Sequence, residues 1–270
     1  MDQKDLIETI TKEVLKQLGN SSQGSTALPT QTQAASTSLI AEKLGIHNPK
    51  DMAKYIDHTL LKPEAKAPAF DQLCKEAIDY KFYSVCVNSS WVLYVAKKLQ
   101  GTKVKVCSVV GFPLGTMTSR SKAFETREAI EHGASEIDMV MAIGKLKTGD
   151  YKYVEEDILS VRRATRSNTI LKVIIETSLL TDEEKVIACQ IAKRAGADFV
   201  KTSTGFGGGG ATVQDVILMK NTVGKGVQVK ASGGIRDFKT ALAMLESGAT
   251  RIGTGSGLAL VSDSTGGQGY

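Results

Sequence analysis

The chain has 270 residues, 41% of them hydrophobic, enough for one large domain or two small ones around a sizeable core. Its net charge of +5, from 34 basic and 29 acidic residues, gathers into no basic run, which argues against a nucleic-acid binder and suits anionic substrates. No apolar run approaches the roughly 18 residues of a membrane span, and Cys74, Cys86, Cys107 and Cys189, with no C-x-x-C pair, read as free thiols of a reducing cytosol.

The first predicted element is an amphipathic helix over residues 1–18. "DLIETITKEVLKQL" sets Ile7, Ile10, Val14, Leu15 and Leu18 on one stripe, with Lys and Glu opposite. "GNSSQGSTALPTQTQAASTS" then has almost nothing to bury, so residues 19–49 read as a flexible linker. A short helix on a tether covers its apolar stripe either on its own domain or on a partner.

From 50 to 262 a rhythm sets in. Strand-like segments are "AKYIDHT", "YSVCVN", "VKVCSVV", "SEIDMVM", "ILKVIIE", "DFVKTS", "VQVKAS" and "TRIGTG". Amphipathic stretches such as "APAFDQLCKEAIDY" and "LTDEEKVIACQIAKRAG" separate them. Eight such units predict a parallel (β/α)8 barrel of the TIM type, with an open doubly wound sheet as the alternative. Residues 263–270 read as a flexible tail.

Polar residues near the C-terminal ends of sealed parallel strands need a reason. Asp57, Cys86, Asp138, Lys172, Lys201 and Lys230 are such residues. Cys86 lies 29 residues after Asp57, and Lys172, Lys201 and Lys230 are also 29 apart. One βα unit per step predicts equivalent positions on neighbouring strands, so strands five to seven would each aim a lysine into one cavity. Mutual repulsion and desolvation lower a lysine pKa, and a neutral lysine attacks carbonyls to form a Schiff base. The competing reading is structural, with Lys172 and Lys230 paired to Asp138 and Asp57 to hold the barrel closed. Three lysines against two aspartates favour chemistry over that pairing. His47, His58 and His132 are too scattered to suggest a metal site.

After Lys201 the chain opens into "TSTGFGGGG". With "SGG" at 232–234 and "GTGSG" at 253–257, this makes three glycine loops on consecutive strands, a pattern that suits one phosphate.

These stretches, "IDHTLLKP", "VCVN", "VVGFPLGT", "EIDMVMAIGKLKTGDY", "LKVIIET", "ADFVKTSTGFGGGGAT" and "VKASGGIR", resemble the deoxyribose-phosphate aldolases, a family of class I aldolases, over about residues 52–257. The resemblance implies reversible cleavage of 2-deoxy-D-ribose 5-phosphate to D-glyceraldehyde 3-phosphate and acetaldehyde, with no metal and no cofactor. It implies Lys201 as the Schiff-base former, Lys230 as the neighbouring cation that activates it and Asp138 as the proton relay. Lys172 and Asp57 would belong to the polar network, and Cys86 would line the substrate pocket. Thr204 would bind substrate, and Gly205, Gly207, Ser232, Gly233, Gly234, Gly255 and Ser256 would form the loops that hold its phosphate. Some members carry a lysine where this chain has Phe206, so phosphate here would rest more on backbone N–H groups. The resemblance further implies a homodimer and a mobile tail whose Tyr270 helps move a proton. Residues 1–18 resemble the encapsulation peptides of bacterial microcompartment enzymes, which implies a shell-protein partner and a cytoplasmic enzyme held in a microcompartment lumen. The rivals are another phosphate-binding barrel, an isomerase or metal-dependent aldolase, which would form no trapped adduct, and a non-catalytic cargo barrel, which would not turn over.

Overall fold

The computed structural model describes residues 41–264 together with Lys12, Lys16 and Gly266. Apart from Lys12 and Lys16, the helix expected over residues 1–18, most of the linker and Tyr270 lie outside the described residues.

Eight strands form the inner layer: β1 (Ile56–Leu60), β2 (Ser84–Val87), β3 (Lys105–Val110), β4 (Glu136–Val140), β5 (Ile170–Ile174), β6 (Phe199–Lys201), β7 (Gln228–Ser232) and β8 (Arg251–Thr254). Every neighbouring pair is parallel, and β1 pairs with β8 through Asp57 and Gly253, so the sheet closes. The closed (β/α)8 barrel is therefore the fold, and the open sheet is overturned by that last pairing. Burial on both faces accounts for the near-continuous Val and Ile of these strands.

The outer layer is α1 (Ala67–Asp79), α2 (Val92–Lys98), α3 (Ser119–Glu131), α4 (Ile143–Lys147), α5 (Tyr151–Ala164), α6 (Asp182–Arg194), α7 (Val213–Val223), α8 (Phe238–Glu246) and α9 (Gly257–Ser262). Local sequence sets where many of them start. Thr118, Asp150, Thr212 and Asp237 each accept an N–H from the first turn of α3, α5, α7 and α8. Thr181 and Glu184 form a reciprocal capping box at α6. The main apolar core lies between strands and helices. A smaller cluster of Leu61, Cys86, Cys107 and Val109, with Phe112 against it, fills part of the barrel interior.

The expected linker ends too late. Ile46 is buried, Leu44 packs on the core, and Tyr55 Oη donates to the Leu44 carbonyl at 2.8 Å. Residues 41–49 thus belong to the barrel's outer layer, because Leu44 and Ile46 supply the apolar surface that the polar stretch before them lacks.

Candidate active site

The barrel interior holds a connected set of charges. Asp138, on β4, accepts from three lysines. Its Oδ1 receives Lys172 Nζ at 2.8 Å, and its Oδ2 receives Lys201 Nζ and Lys230 Nζ, each at 2.8 Å. Asp57, on β1, accepts Lys230 Nζ at 2.5 Å, Arg251 Nη1 at 2.8 Å and the Ser84 hydroxyl at 2.6 Å. Glu136 lies two residues before Asp138, on the same face of β4. It takes Lys172 Nζ at 2.5 Å and Arg251 Nη1 at 2.8 Å. Four cations, Lys172, Lys201, Lys230 and Arg251, therefore face three carboxylates. With every group ionised the set carries one surplus positive charge.

The strand register corrects the expectation of matched depth. Lys201 and Lys230 are register partners, so they do lie side by side. Lys172 pairs with Phe199, whereas the partner of Lys201 on β5 is Ile174. Lys172 thus sits two residues deeper. Likewise the partner of Asp57 on β2 is Ser84, and Cys86 lies two residues nearer the mouth. Equal sequence spacing does not mean equal register, because strands and connections differ in length from unit to unit. Lys201 ends its strand, level with Lys230 and two residues nearer the mouth than Lys172.

Electrostatics overturn the expected direction for two lysines. Burial opposes the charged form of Lys172, but Asp138 and Glu136 outweigh it and hold its pKa well above the ordinary lysine value. Burial likewise opposes Lys230, and Asp138 with Asp57 pushes it up. Burial also works against the two aspartates. The lysines hold Asp138 well below the usual carboxylate range, and Lys230, Arg251 and Lys172 do the same for Asp57. The cation pairing expected of a structural network is present, therefore, and Lys201 is added to it.

Two thiols border the lysines. The hydrogen bond with Cys107 lowers the Cys86 thiol, while burial raises that of Cys107. Cys107 Sγ also donates to Asp138 Oδ1 at 3.2 Å. Two buried triads bring possible metal donors together, Cys86–Cys107–Asp138 and Asp57–Cys107–Glu136. Their carboxylates already hold ammonium and guanidinium groups, so a metal ion would have to displace cations to bind there.

Beside this network lies a cavity of about 60 Å3, lined by Gly205, Gly233, Gly234, Ile235, Arg236, Gly253, Thr254, Gly255 and Ser256. Gly233 and Gly234 have φ of 84° and 77°, a backbone that turns successive N–H groups into a concavity and that a β-carbon would strain. Five of the seven expected phosphate-loop residues line the cavity: Gly205, Gly233, Gly234, Gly255 and Ser256. Gly207 and Ser232 do not, and neither does Thr204. Thr204 binds Glu176, Gly207 packs on Glu176, and the Ser232 hydroxyl donates to the Ser203 carbonyl. Phe206 instead meets Phe112 edge-on, with ring centroids 5.4 Å apart.

A charged interior capped by glycine loops at the C-terminal rim has known relatives. Residues 51–263 match the model of the DeoC/LacD family aldolases. The chain belongs to that family. The aldolase is 58% identical over 221 residues to the deoxyribose-phosphate aldolase of Brevibacillus brevis, covering 82% of this chain and 100% of that one. It is 58% identical over 214 residues to that of Clostridium tetani, covering 79% and 99%. Among solved structures it matches a tetrameric deoxyribose phosphate aldolase from Aeropyrum pernix with a TM-score of 0.78 and 32% identity, over 87% of this chain and 97% of that one.

Four residues of the aldolase's site escaped the sequence reading. Glu136 had a signal, since it is two residues from Asp138 on one strand. Arg251 had one too, as a cation inside the strand-like segment "TRIGTG". Arg236 follows the "SGGI" loop, and charge next to a glycine loop is a usable cue. Glu176 had none, because its placement depends on a left-handed backbone at φ 55°.

Proposed function

We propose that the chain is a class I aldolase that cleaves 2-deoxy-D-ribose 5-phosphate reversibly to D-glyceraldehyde 3-phosphate and acetaldehyde, with Lys201 as the Schiff-base former. The carrying observation is the contrast among the lysines. Lys172 and Lys230 each bind more than one carboxylate, whereas Lys201 binds Asp138 alone among the described residues and is the last residue of its strand.

Neutral Lys201 adds to C1 of the open-chain sugar, and loss of water gives an iminium. Its positive nitrogen draws in the electron pair of the C2–C3 bond as that bond breaks. The C3 hydroxyl proton leaves through Asp138 or a water it holds, the three-carbon phosphate departs as an aldehyde, and an enamine remains on Lys201. Protonation at C2 and hydrolysis release acetaldehyde and return the lysine. Lys230 and Lys172 stay charged and hold Asp138 ionised. Cys86 lines the carbonyl end of the pocket. Gly205, Gly233, Gly234, Gly255 and Ser256 take the phosphate, with Thr204, Gly207 and Ser232 shaping their loops.

Three further parts of this reading concern the ends and the assembly of the chain. Residues 1–18 act as an encapsulation peptide that recruits the barrel to a microcompartment shell, supported by their apolar stripe and the polar stretch after it. Tyr270 assists proton transfer at C2, supported by Gly266, whose N–H donates to the Arg236 carbonyl at 2.8 Å beside the cavity. The barrel works as a homodimer in the cytoplasm or that lumen. The decisive test is turnover. Acetaldehyde should appear from 2-deoxyribose 5-phosphate with the wild type and not with a folded Lys201→Leu variant, and equal activity of the two would end the proposal.

A further inference from the structure

Glu176 belongs neither to the charged network nor to the cavity wall, yet its setting is costly. It follows β5, is 2% exposed, and has a left-handed backbone at φ 55°. For a residue other than glycine that conformation persists only where its surroundings impose it. Its Oε2 accepts the Thr204 N–H at 3.2 Å and also the Thr204 hydroxyl. Its Oε1 is buried without a partner among the described residues, which costs stability.

The contacts lead one way, into the glycine loop. Thr204 Oγ1 accepts the Phe206 N–H at 3.0 Å. A β-carbon on Gly207 would lie 2.7 Å from Glu176 Cδ, and one on Gly209 would lie 2.5 Å from Ser178 Cβ. On the loop's far side the Ala211 N–H donates to the Gly233 carbonyl at 3.0 Å. A β-carbon on Gly210 would stand 2.4 Å from that same oxygen. Loop 204–210 is thus pinched between the end of β5 and Gly233, and both Gly205 and Gly233 line the cavity.

We infer that Glu176 is a positioning residue that latches loop 204–210 and thereby shapes the anion cavity, setting the preference for substrates that end in a phosphate group. The identity of that substrate rests on the function proposed above; the latch does not.

Charge gives the test its sign. A carboxylate near an anion cavity repels the anion, so a purely electrostatic role predicts tighter anion binding once the charge is gone. A latch predicts weaker binding when the side chain is cut away and little change when only its charge is removed. Inorganic phosphate titrated calorimetrically into the full chain separates the two. Glu176→Ala should weaken phosphate binding about tenfold, and Glu176→Gln, which keeps the acceptor, should stay within about threefold of wild type. Gly207→Ala attacks the same contact from the loop side, should match Glu176→Ala, and carries the test alone if Glu176→Ala does not fold. The ratio of kcat/KM for 2-deoxyribose 5-phosphate to that for 2-deoxyribose should fall with the binding. Tighter or unchanged phosphate binding in the two alanine variants, no phosphate binding by the wild type, or an equal loss on both sugars overturns the latch. The expected binding pattern without turnover of either sugar leaves the latch standing and overturns the proposed function instead.

Discussion

Asp138 makes the most contacts with the lysines and is the residue on which the chemistry turns. Asp138→Asn keeps its shape but removes both its charge and its capacity as a base. It should slow turnover by about 10²–10⁴-fold, read in steady-state kinetics. A loss under about threefold would contradict the proton-relay role. The network also predicts how stability follows pH. Asp57 and Asp138 are depressed in the fold from an ordinary 3.8, so their contribution is present above that value and is lost as pH falls through their lower folded values. Lys172 and Lys230 are raised from 10.5, so theirs is present below 10.5 and is lost only as pH rises through still higher folded values. The melting temperature should be flat between about pH 5 and 9 and fall steeply below about pH 4. A transition centred near neutrality would show that other groups govern acid stability. Lys122 is an instructive contrast. It is fully buried on α3, donating to Asp157 at 2.6 Å and to the Val140 carbonyl at 2.8 Å. A buried lysine alone is therefore no mark of a reactive site; the barrel mouth and the shared carboxylate are.

At the scale of elements, the caps are separable from the chemistry. Thr181→Ala removes one half of the capping box at α6, so it should cost about 1 kcal/mol in denaturant unfolding and leave kcat/KM unchanged. A large loss of activity would tie α6 to the site. Most of the barrel was legible in the sequence because strand and helix periods alternate cleanly from residue 50 onward. The interior direction of Asp57, Asp138, Lys201 and Lys230 was legible for the same reason. Register was not. The 29-residue repeat suggested one level for all three lysines, whereas the β5–β6 pairing sets Lys172 two residues below Lys201. Register depends on where connections end, and a helical period carries no such information. The count of charges was incomplete as well. Glu136 and Arg251 lie at or near strand starts, where polar residues usually face water, and only barrel closure brings both beneath Lys172 and Asp57. Gly207 was read as a phosphate contact because the loop's composition invites it, but it packs, as Thr204 does, on Glu176 just beyond β5.

For the whole molecule, the matched family spans residues 51–263, and all the site groups described here fall inside that range. Removing residues 1–40 should therefore leave kcat/KM within about twofold of the full chain, since no described contact crosses that boundary and distant changes act independently. A large drop would assign the N-terminus a part in catalysis. Fused to a fluorescent protein and expressed with the shell, residues 1–20 should give punctate signal; diffuse signal around an assembled shell would mean that they are not a targeting peptide. The central claim, that this barrel does its chemistry through a Schiff base on Lys201, is tested most directly by borohydride reduction in the presence of acetaldehyde followed by peptide mass spectrometry. A single reduced adduct on the peptide containing Lys201, with Lys122, Lys172 and Lys230 unmodified, is the predicted result. No adduct under conditions of turnover, or an adduct on Lys172 or Lys230, would contradict it.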